Sequence, residues 1–205
     1  MDKVINITSS KLLIVEGEDE NRFLKSLFNH LSITDIQIFP IGGKTLLREN
    51  LKALSLAPNF NNVRILGIIR DADDNSSGAF QSVCDALRNI NLEPPQQQLV
   101  INDSIPMTAV MILPRPDQNG MLEDICLNSL SDKPEMECVS HYLDCIYEKT
   151  TRQPSNLPKT KLYSFISASN HPELRLGEAA ERGLFDFNHP SFTQLKTFLT
   201  LISNA

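Results

Sequence analysis

Two short runs of branched aliphatic residues stop abruptly in carboxylates, and nothing else in the chain constrains its fold as much. Lys11-Leu-Leu-Ile-Val15 runs into Glu16-Gly-Glu-Asp-Glu20, and Ile65-Leu-Gly-Ile-Ile69 runs into Arg70-Asp71-Ala-Asp-Asp74. Unbroken apolar runs bounded by turn residues fit strands buried on both faces, as in parallel sheets covered by helices. Ligands of open α/β sheets bind beyond the carboxyl ends of the strands, so two such strands can gather Glu16, Asp71 and Asp73 around one point. Carboxylates that close repel one another without a cation, and a small cluster of hard oxygen donors suits Mg²⁺ or Mn²⁺. A purely structural reading stands beside this one: Glu16 caps the next helix, and Asp71 to Asp74 form a polar turn.

Strand and helix signals alternate through the first half of the chain. Residues Met1 to Ser10 read as a lead-in. Phe23, Leu24, Leu27 and Phe28 recur at helical spacing and predict a helix from Glu18 to about His30. Asp35 to Pro40 alternates in polarity, which predicts a half-exposed strand near a sheet edge. Gly42-Gly43-Lys44 then opens a helix to about Leu56. Glycines between a strand and a helix start let a phosphate approach backbone N–H groups, and Lys44 adds a point charge; a plain tight turn explains the same residues, and the spacing is not that of a Walker A loop.

Val63 to Ile69 is the most uniformly apolar run and is expected at the sheet centre. Asn75 starts a helix whose stripe is Phe80, Val83, Cys84, Leu87 and Ile90, and Pro94-Pro95 ends it. Leu99-Val-Ile101 reads as a short extra strand and Met107 to Leu113 as a fourth buried one. Beyond this point the signals are helical: Met121 to Leu130, Pro134 to about Lys149, Lys159 to Ala168, and a last amphipathic helix near Pro190 with Phe192, Leu195, Phe198, Leu199 and Ile202 in register. The expected architecture is therefore α/β: a mainly parallel four-stranded sheet with helices on both faces over residues 1–115, and a helical extension over 116–205 packed on or completing the same domain.

Composition narrows the function classes. A formal charge of −6 argues against a general electrostatic footprint for nucleic acid, although bound divalent ions reverse the local sign. No run approaches membrane-spanning length, and Met1-Asp2-Lys3-Val4 lacks a basic region followed by an apolar core, so a cytoplasmic protein without membrane contact is expected. Cys84, Cys126, Cys138 and Cys145 form no Cys-x-x-Cys pair, and buried free thiols are the expected reading.

With Val15-Glu16-Gly17 after the first strand and Asp71-Ala72-Asp73 after a later one, the region from Lys11 to Leu113 resembles the Toprim domain. That module is shared by topoisomerases, bacterial primases, recombination-repair proteins and the overcoming-lysogenisation-defect (OLD) nucleases. The run Glu16-Gly-Glu-Asp-Glu20 looks most like the OLD type and its small stand-alone relatives; Gly120-Met-Leu-Glu123-Asp124 and Lys159 or Lys161 resemble later acidic and basic positions of that group.

The resemblance implies a Rossmann-like fold and a metal-dependent nuclease acting on DNA or RNA. Asp71 and Asp73 would hold Mg²⁺ or Mn²⁺, with Glu16 as a further ligand or general base, Glu20 and Glu123 serving a second ion, and Lys161 or Lys159 neutralising phosphate charge. Gly42, Gly43 and Lys44 could hold an adjacent phosphate. No ATP-binding cassette region accompanies the domain, so ATP control would come from a partner chain. Two alternatives stand beside this reading. One is a metal- and nucleotide-binding regulatory subunit without turnover. The other is a phosphotransferase with an aspartyl nucleophile, against which the Asp-x-Asp follows the third strand rather than the first.

Overall fold

A computed structural model describes residues 5–205; Met1–Val4, the first residues of the expected lead-in, lie outside them. Strands β1 (Lys11–Val15), β2 (Ile36–Pro40), β3 (Ile65–Asp71) and β4 (Met107–Leu113) form one sheet in the order β2-β1-β3-β4. Every pairing in it is parallel, with Lys11 opposite Ile36 on one side and Ile65 on the other. Parallel neighbours require crossovers, and these are α1 (Glu18–Leu31), α2 (Leu47–Ser55) and α3 (Ser76–Asn89). As expected, β2 lies at an edge and β3 inside the sheet.

Side chains of a strand alternate between faces, so the buried runs feed two separate cores. Leu12, Ile14, Leu66 and Ile68 pack with Leu47 and Leu51 of α2 and Val83 and Leu87 of α3. Leu13, Val15, Ile65 and Ile69 pack with Phe23, Leu24 and Leu27 of α1 and with the later helices. Those helices are α4 (Leu122–Ser129), α5 (Pro134–Thr150), α6 (Leu157–Ser167), α7 (Leu176–Glu181) and α8 (Thr193–Asn204). A single apolar cluster thus joins the sheet to Leu162 of α6 and Phe198 of α8, and the helical segment after residue 115 lies against one sheet face.

Glycine sets the approach at two places on that face. A Cβ on Gly67 of β3 would sit 2.3 Å from Ile202 Cδ1, so the bare backbone is what lets α8 lie on the strand. A Cβ on Gly177 would sit 2.5 Å from Arg22 Cβ and 2.8 Å from the Asp19 carbonyl oxygen, which brings α7 onto α1. Arg22 Nη1 and Glu178 Oε1, 2.7 Å apart, tie the same two helices together.

The structure departs from the sequence expectations at three points. Leu99–Ile101 is not a strand: Leu99 adopts φ 63°, which breaks the extended run, and the segment meets the outer edge of β4 through an isolated antiparallel bridge, Ile101 to Ala109, and the Leu99 N–H, which donates to the Val110 oxygen at 2.9 Å. The helix expected after Gly43 begins as a turn of 3₁₀ helix over Lys44–Leu46. Burial accounts for Cys84 and Cys126 but not for Cys138 and Cys145, which are exposed on α5, a helix with one buried residue, Val139. Among the described residues, no helix is long and apolar enough to cross a membrane.

Candidate functional site

β1 and β3 are neighbours, yet β1 is followed by a crossover to β2 on one side while β3 leads to β4 on the other. The crevice at their carboxyl ends is therefore the switch point of the sheet, the place where open α/β folds bind ligands. Glu16 follows the last residue of β1, and Asp71 is the last residue of β3. Across the crevice the Asp71 N–H donates to Glu16 Oε1 at 3.3 Å.

The acidic turn after β3 is clamped by the loop after β4. Asp73, at φ 49°, exchanges backbone hydrogen bonds with Gly120: its N–H donates to the Gly120 oxygen at 2.9 Å, and the Gly120 N–H returns one at 2.8 Å. The Asn119 side chain accepts from the Ser76 N–H at 3.0 Å and donates to the Asp74 oxygen at 2.7 Å. Gly120 sits at φ 132°, and a Cβ there would meet Asp124 Oδ2 at 2.6 Å, so glycine is required.

This clamp aims α4 at the crevice. Asp71 Oδ1 accepts the Leu122 N–H at 3.1 Å, and Asp124 Oδ2 accepts the Met121 N–H at 2.8 Å, so carboxylates satisfy donors at the helix start. Glu123, only 5% exposed, is brought into the cluster, and Lys159 Nζ of α6 lies 3.6 Å from its Oε1. Glu20 enters from the first turn of α1, where the charges of Glu123 and Lys159 act on it.

Burial and neighbouring charge act together on Asp71, Glu16 and Glu20. Burial pushes the Asp71 carboxyl well above the ordinary carboxylate range, and the charges of Glu16, Glu123 and Glu20 push it further, against the Leu122 hydrogen bond. Burial also raises Glu16, opposed by Arg70 and the Asp71 N–H and assisted by Asp73 and Glu20. Glu20 is raised by burial, with Glu123 and Asp19 adding to it.

Two lysines flank the cluster. Lys44 is raised by its hydrogen bond to Asp73, whose Oδ2 lies 2.5 Å from Nζ. Burial would lower Lys159, but Glu123, Tyr163 and Glu20 together outweigh it and the net shift is upward.

Of the residues singled out in the sequence, the fold brings together Glu16, Glu20, Asp71, Asp73, Glu123 and Lys44. Lys161 lies elsewhere, lining a groove with Asp124 and Lys133; the lysine beside Glu123 is Lys159. The Gly43 N–H, offered by the sequence as a phosphate donor, is engaged by the Glu16 carbonyl oxygen at 2.8 Å. Sequence reasoning passed over Arg70. Its side chain is 14% exposed, its Nε lies 3.6 Å from Glu16 Oε1, and Nε and Nη1 are buried without a hydrogen-bond partner. The available signal was a cation at the end of an otherwise apolar strand.

Could these residues hold a divalent ion? Among the described residues, no three His, Cys, Asp or Glu side chains are poised around a metal as they stand, and Lys44 occupies Asp73. The donor set nevertheless fits: it is all carboxylate oxygen, the preference of Mg²⁺ and Mn²⁺. The strongest charges on buried Asp71 all have its own sign, so a countercharge is what Asp71 itself lacks.

Fold and crevice together define a Rossmann-like α/β protein with a carboxylate cluster at its switch point. Residues 10–204 match the family described as protein of unknown function DUF3226, and the chain belongs to that family. Its fold is similar to that of a hypothetical protein from Pyrococcus horikoshii, with a TM-score of 0.60 and 18% identity over 94% of each chain. It is also similar to the C-terminal region of the OLD protein of Xanthomonas campestris pv. campestris, with a TM-score of 0.52 and 16% identity, covering 97% of this chain and 96% of the other. The C-terminal region of the Burkholderia pseudomallei OLD protein gives a TM-score of 0.52 and 12% identity over 97% and 98%. At these identities the likeness is one of fold. No curated protein matches the sequence.

Proposed function

We propose that this chain is a metal-dependent nuclease of the Toprim type, hydrolysing phosphodiester bonds in DNA or RNA. The observation that carries this reading is the convergence of Glu16 and Asp71, from different strands, on one crevice with Glu20, Asp73 and Glu123. The fold likeness to OLD C-terminal regions supports it.

In this reading Asp71 and Asp73 would hold Mg²⁺ or Mn²⁺, with Glu16 either completing the shell or acting as general base, and Glu20 and Glu123 would serve a second ion. A bound divalent ion supplies neutralisation of charge on the phosphate and a lowered pKa for the attacking water. The protein does the rest. Arg70 orients the Glu16 carboxylate, which is then placed to accept a proton from the water. Lys159, beside Glu123, faces the charge that develops on the phosphate. Lys44 leaves Asp73 and pairs with a flanking phosphate.

The test is cleavage of DNA and RNA by purified protein in Mg²⁺ or Mn²⁺. Cleavage should vanish in the double variant Asp71→Asn/Asp73→Asn; unchanged cleavage would overturn the proposal. The Lys44–Asp73 pair, which ties up one candidate ligand, favours a second reading: a metal- and nucleotide-binding subunit without turnover, working with a partner such as an ATPase. Mn²⁺ binding by calorimetry, with no nucleic acid hydrolysed, would select it.

A further inference from the structure

Two grooves on opposite faces of the sheet border the carboxylate cluster, each lined in part by a lysine paired with one of the acids. On the α2–α3 face a groove of about 370 Å³ is lined by Lys44, Thr45, Arg48, Gly78, Ser82 and Asp85. Its acid is already committed: Asp85 Oδ1 accepts from Arg88 Nη1 and Gln81 Nε2, both at 2.8 Å. Arg48 has no ion-pair partner among the described residues, so this groove offers cationic charge next to Lys44.

The second groove, about 860 Å³, lies between α5 and α6 and begins at Lys159. Its lining is of another kind: Tyr142 and Tyr163, the hydroxyls of Thr160, Ser164 and Ser167, and one acid, Glu135. Tyr142 is 58% exposed, which leaves much of its ring open to a ligand in this groove. Tyr163 also borders the site, since Asp19, Lys159 and Glu123 all act on its hydroxyl.

Cationic side chains, the acidic crevice and aromatic side chains follow one another here, linked through the Lys44–Asp73 and Lys159–Glu123 pairs, and that order suits a single nucleic acid strand, phosphates on the cations and unstacked bases on the rings. A duplex keeps its bases stacked and would leave the tyrosines unused. We infer that the substrate is a single-stranded polynucleotide, with backbone on Lys44 and Arg48, the scissile phosphate at the acids, and bases beyond it on Tyr142 and Tyr163. This rests on the nuclease reading for the scissile step, but the binding path stands or falls separately.

The experiment is fluorescence anisotropy in Mn²⁺ with labelled phosphorothioate oligothymidine, phosphorothioate oligouridine and a matching duplex. Wild type should bind at least one single strand roughly tenfold or more tighter than the duplex. Tyr142→Ala and Tyr163→Ala should each weaken strand binding about five- to a hundredfold, the loss of one stacked base, while Tyr163→Phe should retain it. Arg48→Glu should weaken binding and flatten its salt dependence. The tighter of the two strands identifies the sugar. Equal affinity for strand and duplex, no strand binding, or indifference to both tyrosine truncations overturns the inference. Tyrosine-dependent binding without cleavage of ordinary strands keeps it and removes the nuclease; cleavage with an unchanged KM in both Tyr142→Ala and Tyr163→Ala keeps the nuclease and removes this path.

Discussion

Asp71 Oδ1 accepts the Leu122 N–H at 3.1 Å, so the residue that ends β3 also caps the helix carrying Glu123. Charge and hydrogen bonding at this carboxyl can be separated by substitution. Asp71→Asn keeps an oxygen acceptor for Leu122 and removes a charge that burial already disfavours. Without metal at neutral pH it should be as stable as wild type or more so, while losing Mn²⁺ binding. Asp71→Ala strands the Leu122 N–H and should cost about 1–3 kcal/mol. Urea unfolding of both variants checks the pair; equal losses would mean that the cap is immaterial.

The raised carboxyls make a signed pH prediction. Asp71, Glu16 and Glu20 ordinarily titrate near 3.8 and 4.5, and all three are raised in the folded protein. Above those ordinary values the folded state therefore holds more protons than the unfolded chain, and this cluster's contribution to stability falls as pH rises through the raised values. Outlying acids such as Asp35, lowered by its hydrogen bond to Lys11, act with the opposite sign at low pH. Comparison with Asp71→Asn isolates the cluster. In EDTA, the melting temperature of wild type should drop relative to that variant between pH 4 and pH 8, and Mn²⁺ should restore wild type at pH 8 but not at pH 4. A parallel profile for the two proteins would contradict the cluster's electrostatics.

Lys159 and Lys161 should behave differently. Lys159 Nζ is 3.6 Å from Glu123 Oε1, whereas Lys161 lines another groove. Removing a positive charge from an acidic site favours cations, so Lys159→Ala should bind Mn²⁺ at least as tightly as wild type. It should nevertheless cleave more slowly, on the order of a hundredfold, the usual effect of losing one electrostatic donor. Lys161→Ala should change neither quantity. A loss confined to Lys161→Ala would exchange the two roles.

The parts of this fold legible in the sequence are those where periodicity and burial agree. Leu12 to Val15 and Ile65 to Ile69 are apolar on both faces because both faces are covered, and the carboxylates after them mark the strand ends. Phe198 and Ile202 of the last helix were legible in the same way. The α7 helix was not: at six residues, with Gly177 at its second position, it has no measurable period, and its place is set by contact with Arg22 and Asp19. Nor could the sequence separate Lys159 from Lys161, since residues two apart on a helix point in nearly opposite directions and only the docking of Leu162, Phe165 and Ile166 decides which direction meets Glu123. Arg70 was hidden because its partner, Glu16, follows another strand, 54 residues away in sequence.

The contact between Gly67 and Ile202 gives a stability test of how the last helix is seated. A Cβ at residue 67 would stand 2.3 Å from Ile202 Cδ1 and 3.1 Å from Leu13 Cδ1, and both side chains are fully buried. Alanine loses less chain entropy on folding than glycine, a gain of about 0.4–1 kcal/mol where the site accepts it. Overpacking a filled core costs about 1–3 kcal/mol, so Gly67→Ala should be destabilising on balance. Ile202→Val deletes the Cδ1 atom in the way and alone should cost about 0.5–1.5 kcal/mol. Combined, the new methyl occupies space that the deleted one leaves, so the double variant should be more stable than the sum of the single losses predicts, by about 1 kcal/mol or more. Denaturant unfolding of the four proteins measures that coupling; simple additivity would show that α8 does not sit on β3 through this contact.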